Sequence, residues 1–113
     1  MTRVRYDRAA LRLEMEGHAG AGAYGADTVC AALSILMMAL ERRMEERAEK
    51  TLPVIRRGAG SFMLECRPEA EDEALCRESF DTVAAGLALL AENRADCVCF
   101  RMEGEDLEEE DEG

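Results

Sequence analysis

The sequence predicts a single α+β domain in which a mostly antiparallel sheet and two long helices form two layers. A chain of 113 residues has room for one such domain. Several short segments carry apolar residues at every second position, as strands do, and two long segments carry them at steps of three and four, as helices do. Along the chain these segments follow the order ββαββαβ, and a sheet covered by both helices satisfies that order.

The first two strands are predicted at residues 2–7 and 11–16, where apolar and charged residues alternate. Residues 7–10 connect them as a hairpin. Residues 17–26 follow as a loop, because they contain four glycines and no large aliphatic residue.

The first long helix is predicted to start at Asp27, a good N-cap residue, and to run to about Lys50, before Pro53. Its apolar positions recur at helical spacing, and they are Val29, Leu33, Leu36, Met37, Leu40 and Met44.

A second hairpin is predicted from residues 54–57 and 62–66, which flank the turn sequence GAGS. A second helix follows the acidic residues after Pro68 and ends near Asn93. Residues 97–102 form the last strand. Cys97 and Cys99 lie two positions apart in it, so they should face the same side of the sheet, which we expect to be the core.

The charge is unevenly distributed along the chain. The formal net charge is −11, but eight of the 25 acidic residues and no basic residue lie in residues 103–113. Residues 1–102 therefore carry a net charge of only −3, from 17 acidic and 14 basic residues. We expect residues 1–102 to form the domain and residues 103–113 a disordered tail, and the lack of a basic excess argues against direct nucleic-acid binding.

The sequence also predicts where the protein works. Its N-terminus lacks the apolar segment of a signal peptide, and no segment has the ~20 apolar residues of a membrane span. The five cysteines, an odd number, lack the regular spacing of a secreted disulfide framework. These features predict a cytoplasmic protein that is not bound to a membrane.

One cysteine and the single histidine bracket the glycine-rich loop, with His18 at its start and Cys30 in the predicted first turn of the helix. The unpaired N–H groups and the dipole of a helix start favour a thiolate, and an imidazole beside it could accept the thiol proton. The same N–H groups could stabilise the oxyanion of a tetrahedral intermediate. The alternatives are a small buried cysteine and a histidine that only forms a turn.

Metal and cofactor binding are not expected. The sequence has no C-x-x-C pair, and one histidine with scattered thiols does not form a convincing zinc site.

The run GHAG at residues 17–20 and the run GADTVCAALS at residues 25–34 resemble the two-box signature of the ribosomal-processing cysteine proteases, the Prp or YsxB-like family. The interval between the histidine and the cysteine is also that of the family. Members commonly carry an aromatic residue directly after GHAG, where this chain has Ala21, and Tyr24 could replace it.

The resemblance implies that Cys30 is the nucleophile and His18 the general base. Asp27 falls on the family's aspartate, which could orient the imidazole or only cap the helix, and Ser34 falls on its serine, which could bond near the thiol or to its own helix. The substrate loop implied by the resemblance comprises Gly17, Gly20, Gly22, Tyr24 and Gly25.

The resemblance further implies a homodimeric endopeptidase, without metal or cofactor, that removes a short N-terminal extension from a ribosomal large-subunit protein through a thioester. Two other functions stay open. One is a ribosome-associated binding protein without catalysis, and the other is a thiol redox or sensor protein.

Overall fold

A computed structural model describes residues 1–17 and 26–104, without the side chains of Ala26 and Asp27. The predicted order ββαββαβ is confirmed, with one short extra helix. The elements are β1 (Thr2–Asp7), β2 (Arg12–Glu16), α1 (Ala26–Glu45), α2 (Ala48–Thr51), β3 (Pro53–Gly58), β4 (Ser61–Cys66), α3 (Ala70–Asn93) and β5 (Val98–Glu103).

The five strands form one sheet in the order β3-β4-β2-β1-β5. Three of the four neighbouring pairs are antiparallel, and β5 alone runs parallel to its neighbour β1. The prediction of a mostly antiparallel sheet is therefore confirmed. Strands β3 and β5 form the two edges.

The sheet has one buried face and one charged face. In β1, Val4 and Tyr6 are buried, whereas Arg3 and Arg5, which alternate with them, are exposed. Both long helices lie on the buried face, where their apolar positions and those of the strands form one core cluster. This alternation is the physical signature of a sheet with one solvated side.

Two contacts show how closely the helical layer packs. The ring of Tyr6 stacks on that of Phe80 in α3, with 6.1 Å between the centroids. Where α3 meets α1, a Cβ added to Gly86 would lie 3.1 Å from a methyl carbon of Leu36. The small residue therefore lets the two helices approach each other.

The first helix ends earlier than predicted. Helix α1 stops at Glu45, and the residues up to Thr51 form a turn and the short helix α2. The buried hydroxyl of Thr51 donates to the carbonyl of Met44, at 2.8 Å, and also lies 3.2 Å from the carbonyl oxygen of Arg47. This contact joins α2 to the last turn of α1 and so stabilises the break.

The prediction for the last two cysteines is half wrong. Cys97 is buried, but Cys99 is exposed. Strand β5 begins only at Val98, and Cys97 belongs to the turn before it. Cys99 pairs with Arg3 in the sheet and therefore faces the charged side, so the two thiols do not share a face.

Most of the predicted tail lies outside the described residues, which end at Gly104. Strand β5 includes Glu103, whose carbonyl accepts a 2.9 Å hydrogen bond from the N–H of Arg8. Among the described helices, none is long and apolar enough to cross a lipid bilayer.

Candidate active site

A cleft of about 340 Å³ opens between α1 and the ends of β2, β3 and β4. One wall comes from α1, and the opposite wall comes from the β3–β4 hairpin. The lining residues are Thr2, Met15, Gly17, Cys30, Leu33, Ser34, Met37, Met38, Arg57, Gly58, Gly60, Ser61 and Phe62. Three of the residues predicted from the sequence, namely Gly17, Cys30 and Ser34, thus line one cleft.

Cys30 was predicted in the first turn of α1, but it is the fifth residue of the helix and therefore begins the second turn. The helix starts before the apolar repeat does. Because helical side chains point back toward the N-terminus, the thiol still lies over the first turn. Cys30 is partly exposed at the cleft, where a substrate can reach it.

Ser34 lies four residues beyond Cys30 on the same side of α1, and it is exposed. Its hydroxyl forms no hydrogen bond to another described residue, so the predicted bond to a carbonyl of its own helix is absent. Ser34 is therefore accessible from the cleft.

Gly17 directly follows β2 and begins the glycine-rich loop. Its N–H donates a 2.8 Å hydrogen bond to the carbonyl of Gly60 in the β3–β4 turn. Its φ is +97°, and a Cβ at this position would lie 2.5 Å from the carbonyl oxygen of Met1. Both the conformation and the close approach require glycine here.

The remaining predicted site residues are not among those that the structure describes. His18, Gly20, Gly22, Tyr24 and Gly25 lie outside the described residues, and so does the side chain of Asp27. The backbone of Asp27 is the second residue of α1.

The sequence did not predict the wall opposite Cys30. This wall comes from the β3–β4 hairpin, where Arg57 places its guanidinium 5.3 Å from the ring centroid of Phe62. The small residues of the GAGS turn indicate a place where another segment can approach closely. The turn lies about 30 residues beyond Cys30 in the chain, so local spacing does not relate it to the thiol.

The other cysteines differ from Cys30 in their surroundings. Cys66 and Cys76 are buried in the core. Burial, followed by the neighbouring Cys76, raises the pKa of the Cys66 thiol to about 12, and burial also raises the pKa of Cys76. Both thiols are thus held protonated, as expected of structural cysteines.

Titratable groups within the described ranges do not form a metal site. Among residues 1–17 and 26–104, no group of three or more His, Cys, Asp or Glu side chains could hold a metal ion.

The cleft offers a partly exposed thiol near a helix start and mostly apolar walls. The thiol can attack an electrophilic carbonyl carbon, and the helix start lowers the energy of negative charge beside it. Apolar walls are suited to an uncharged peptide segment.

Solved structures share this fold. The structure of SMU.848 from Streptococcus mutans is 26% identical, with a TM-score of 0.67, over 90% of this chain and 91% of that one. The ribosomal processing protease Prp from S. aureus, in complex with a substrate peptide, is 19% identical, with a TM-score of 0.75, over 91% and 100% of the two chains. The same protease with a covalently linked product peptide is 20% identical, with a TM-score of 0.71, over 90% and 97%.

The family comparison extends over nearly the whole chain. None of the curated proteins matches this chain. The model of the family described as cysteine protease Prp matches residues 1–99, which include the cleft and both sequence boxes. The chain therefore belongs to the cysteine protease Prp family and is a cysteine protease.

Proposed function

We propose that Cys30 is the nucleophile and His18 the general base of an endopeptidase that removes a short N-terminal extension from a ribosomal large-subunit protein. The observation that carries this proposal is the cleft, in which Cys30 is partly exposed and Gly17, the residue before His18, lies on the lining. The S. aureus relative is a ribosomal processing protease bound to a substrate peptide, which supports the class of substrate.

The proposed reaction has two steps. His18 takes the thiol proton while the sulfur of Cys30 bonds to the scissile carbonyl carbon, and N–H groups at the start of α1 stabilise the oxyanion. The C–N bond then breaks, the proton passes to the leaving amine, and the shortened ribosomal protein departs. Water hydrolyses the remaining thioester and releases the N-terminal fragment together with the free thiol. No metal or cofactor takes part.

Asp27 and Ser34 have proposed supporting roles. Asp27 could orient the imidazole of His18 or only stabilise the helix start, and Ser34 could hydrogen-bond beside the thiol. The exposure of Ser34 in the same cleft supports its role.

The proposal includes a cytoplasmic, homodimeric enzyme. All five cysteines are free thiols, which a reducing compartment maintains. Large apolar side chains are exposed on the helical layer, with Ile35 62% and Met38 55% accessible on α1 and Leu89 58% accessible on α3. Sedimentation analysis at micromolar concentration tests the dimer, and a monomer at every concentration would contradict it.

The central test is mass spectrometry of the N-terminally extended ribosomal protein after incubation with the enzyme. We expect one cut by the wild type and by Cys99→Ala, and none by Cys30→Ala or His18→Ala. Cys99 is the matched control because it is exposed on the opposite face of the sheet. A substrate that binds but stays intact would favour the non-catalytic binding protein instead. Oxidation of Cys30 without cleavage would favour the redox protein.

A further inference from the structure

The end of the cleft away from the start of α1 is bounded by an ion pair between its two walls. Arg57 of β3 binds the carboxylate of Glu41 in α1 through Nη2, and its guanidinium also lies over the ring of Phe62. The Glu41 side chain is only 12% exposed, whereas that of Arg57 is 58% exposed. The anion is therefore covered, and the cation faces the solvent.

Arg57 is the boundary between two clefts. It lines the one that contains Cys30, and it also lines a second one along the outer side of α1, which includes Glu41 and Arg42. Met38 is the other residue common to both. A peptide that continues from the first cleft into the second must pass the guanidinium.

The distance from the nucleophile to this boundary fits a short peptide. Glu41 lies eleven residues beyond Cys30 in α1, which corresponds to about 16 Å along the helix axis. An extended peptide advances about 3.3 Å per residue. A substrate that runs along α1 therefore reaches Arg57 about four or five residues from the scissile bond.

The surface between these two points is mostly apolar. Leu33 and Met37 are buried on the α1 side, and Phe62 packs against the core on the other side. Among the described residues that line the cleft, Arg57 is the one cationic side chain. Its guanidinium has five N–H donors, so donors remain for a second carboxylate after Glu41 is bound.

We propose that Arg57, positioned by Glu41 and Phe62, determines substrate specificity by favouring an acidic and disfavouring a basic side chain four or five residues from the scissile bond. This inference rests on the proposed function, because it assumes that the peptide to be cut lies in this cleft. Removal of Arg57 exposes the carboxylate of Glu41 and reverses the preference.

The test measures peptide binding in a Cys30→Ala background by fluorescence anisotropy. The probes are labelled peptides of the N-terminal extension and the residues after the cut, each with one position changed to Glu, Gln or Lys. At one position four or five residues from the cut, we expect the Glu peptide to bind about five-fold more tightly than the Lys peptide. We expect Arg57→Gln to reverse that ratio, Glu41→Gln to increase it, and the double variant to abolish it.

Arg56→Gln is the matched control. Arg56 precedes Arg57 in β3 but pairs with Met63 and faces the other side of the sheet, so its loss should leave the ratio unchanged. Thermal unfolding shows whether each variant is folded. An equal ratio in Arg57→Gln and Arg56→Gln overturns the inference, and so does a failure of all the peptides to bind. Cleavage by the wild-type enzyme is measured separately, so a failure of the proposed function is recognised as absence of the cut.

Discussion

Single residues determine how the glycine-rich loop begins. Gly17 combines a φ of +97° with a close approach to the carbonyl of Met1, and it is the residue before His18. A side chain at this position would strain the backbone and displace the base of the loop.

We therefore expect Gly17→Ala to destabilise the protein by about 1–3 kcal/mol and to lower kcat/KM by more than the loss of folded protein explains. Urea unfolding and peptide cleavage measure the two effects. Gly58→Ala is the comparison for the unfolding measurement alone, since the new Cβ would meet only the movable hydroxyl of Ser61, at 2.9 Å. Equal stability of Gly17→Ala and the wild type would contradict the strain at Gly17.

Burial also separates the cysteines by reactivity. Burial holds the pKa of the Cys66 thiol at about 12, whereas Cys99 is exposed. Because maleimides react with the thiolate, we expect N-ethylmaleimide at pH 8 to modify Cys99 in the folded protein and to leave Cys66 and Cys76 unmodified. Peptide mass spectrometry identifies the sites, and labelling in urea is the control in which all five react. Rapid labelling of Cys66 without denaturant would show that the core opens at this point.

At the scale of elements, Asp81 joins α3 to β1 and to the turn that follows β1. The carboxylate of Asp81 accepts hydrogen bonds from the hydroxyl of Tyr6 at 2.6 Å and from Nε and Nη2 of Arg8 at 3.1 and 3.0 Å. Burial by itself would raise the pKa of Asp81, but the hydrogen bonds from Arg8 and Tyr6 outweigh it and lower the pKa below its ordinary value. The ionised carboxylate therefore links the strand to the helix.

Because the pKa of Asp81 is lower in the folded than in the unfolded chain, its contribution to stability is present above about pH 4 and is lost as the pH falls further. We expect Asp81→Asn to lower the free energy of unfolding by about 1–2 kcal/mol at pH 7 and by less at pH 3. Urea unfolding at the two pH values measures this.

Glu46→Gln serves as the control for the loss of an ion pair. Glu46 pairs with Arg43 on the surface of the protein, where both side chains are about half exposed. Its replacement should change the free energy of unfolding by no more than about 0.5 kcal/mol. A loss from Asp81→Asn that is the same at pH 3 and pH 7 would exclude ionisation of Asp81 as its cause.

At the scale of the whole molecule, β5 completes the sheet by pairing with β1. The backbone N–H of Arg8 donates to the carbonyl of Glu103, and a Cβ at Gly104 would lie 2.4 Å from Oδ1 of Asp7. The last described residues are thus part of the domain, while seven of the nine residues beyond Gly104 are acidic.

We expect a chain that ends at Gly104 to keep its stability and its cleavage activity within two-fold, because it retains β5 and the complete cleft. Circular dichroism and the cleavage assay measure this. A chain that ends at Cys97 is the comparison, since it loses β5 and should not fold. A folded chain ending at Gly104 that no longer cleaves would assign the acidic segment a part in catalysis.

The sequence by itself determined which segments form strands and helices, because the spacing of apolar residues is a local property. The alternation in β1 and β2, the helical repeat around Leu33 and Met37, and the GAGS turn all lie within single segments. The two boxes around His18 and Cys30 predicted the family, which the match over residues 1–99 confirms.

The tertiary structure decided the relations between segments that are distant in sequence. Residues in β5 and β1 are nearly a hundred positions apart, so no local pattern predicts that these strands pair in parallel or that Cys99 faces Arg3. The cleft likewise depends on β3 and β4 folding back against α1, which brings Arg57 to Glu41. Strand pairing and helix packing bury apolar surface from several segments together, and the free energy that selects one arrangement therefore exists only in the assembled fold.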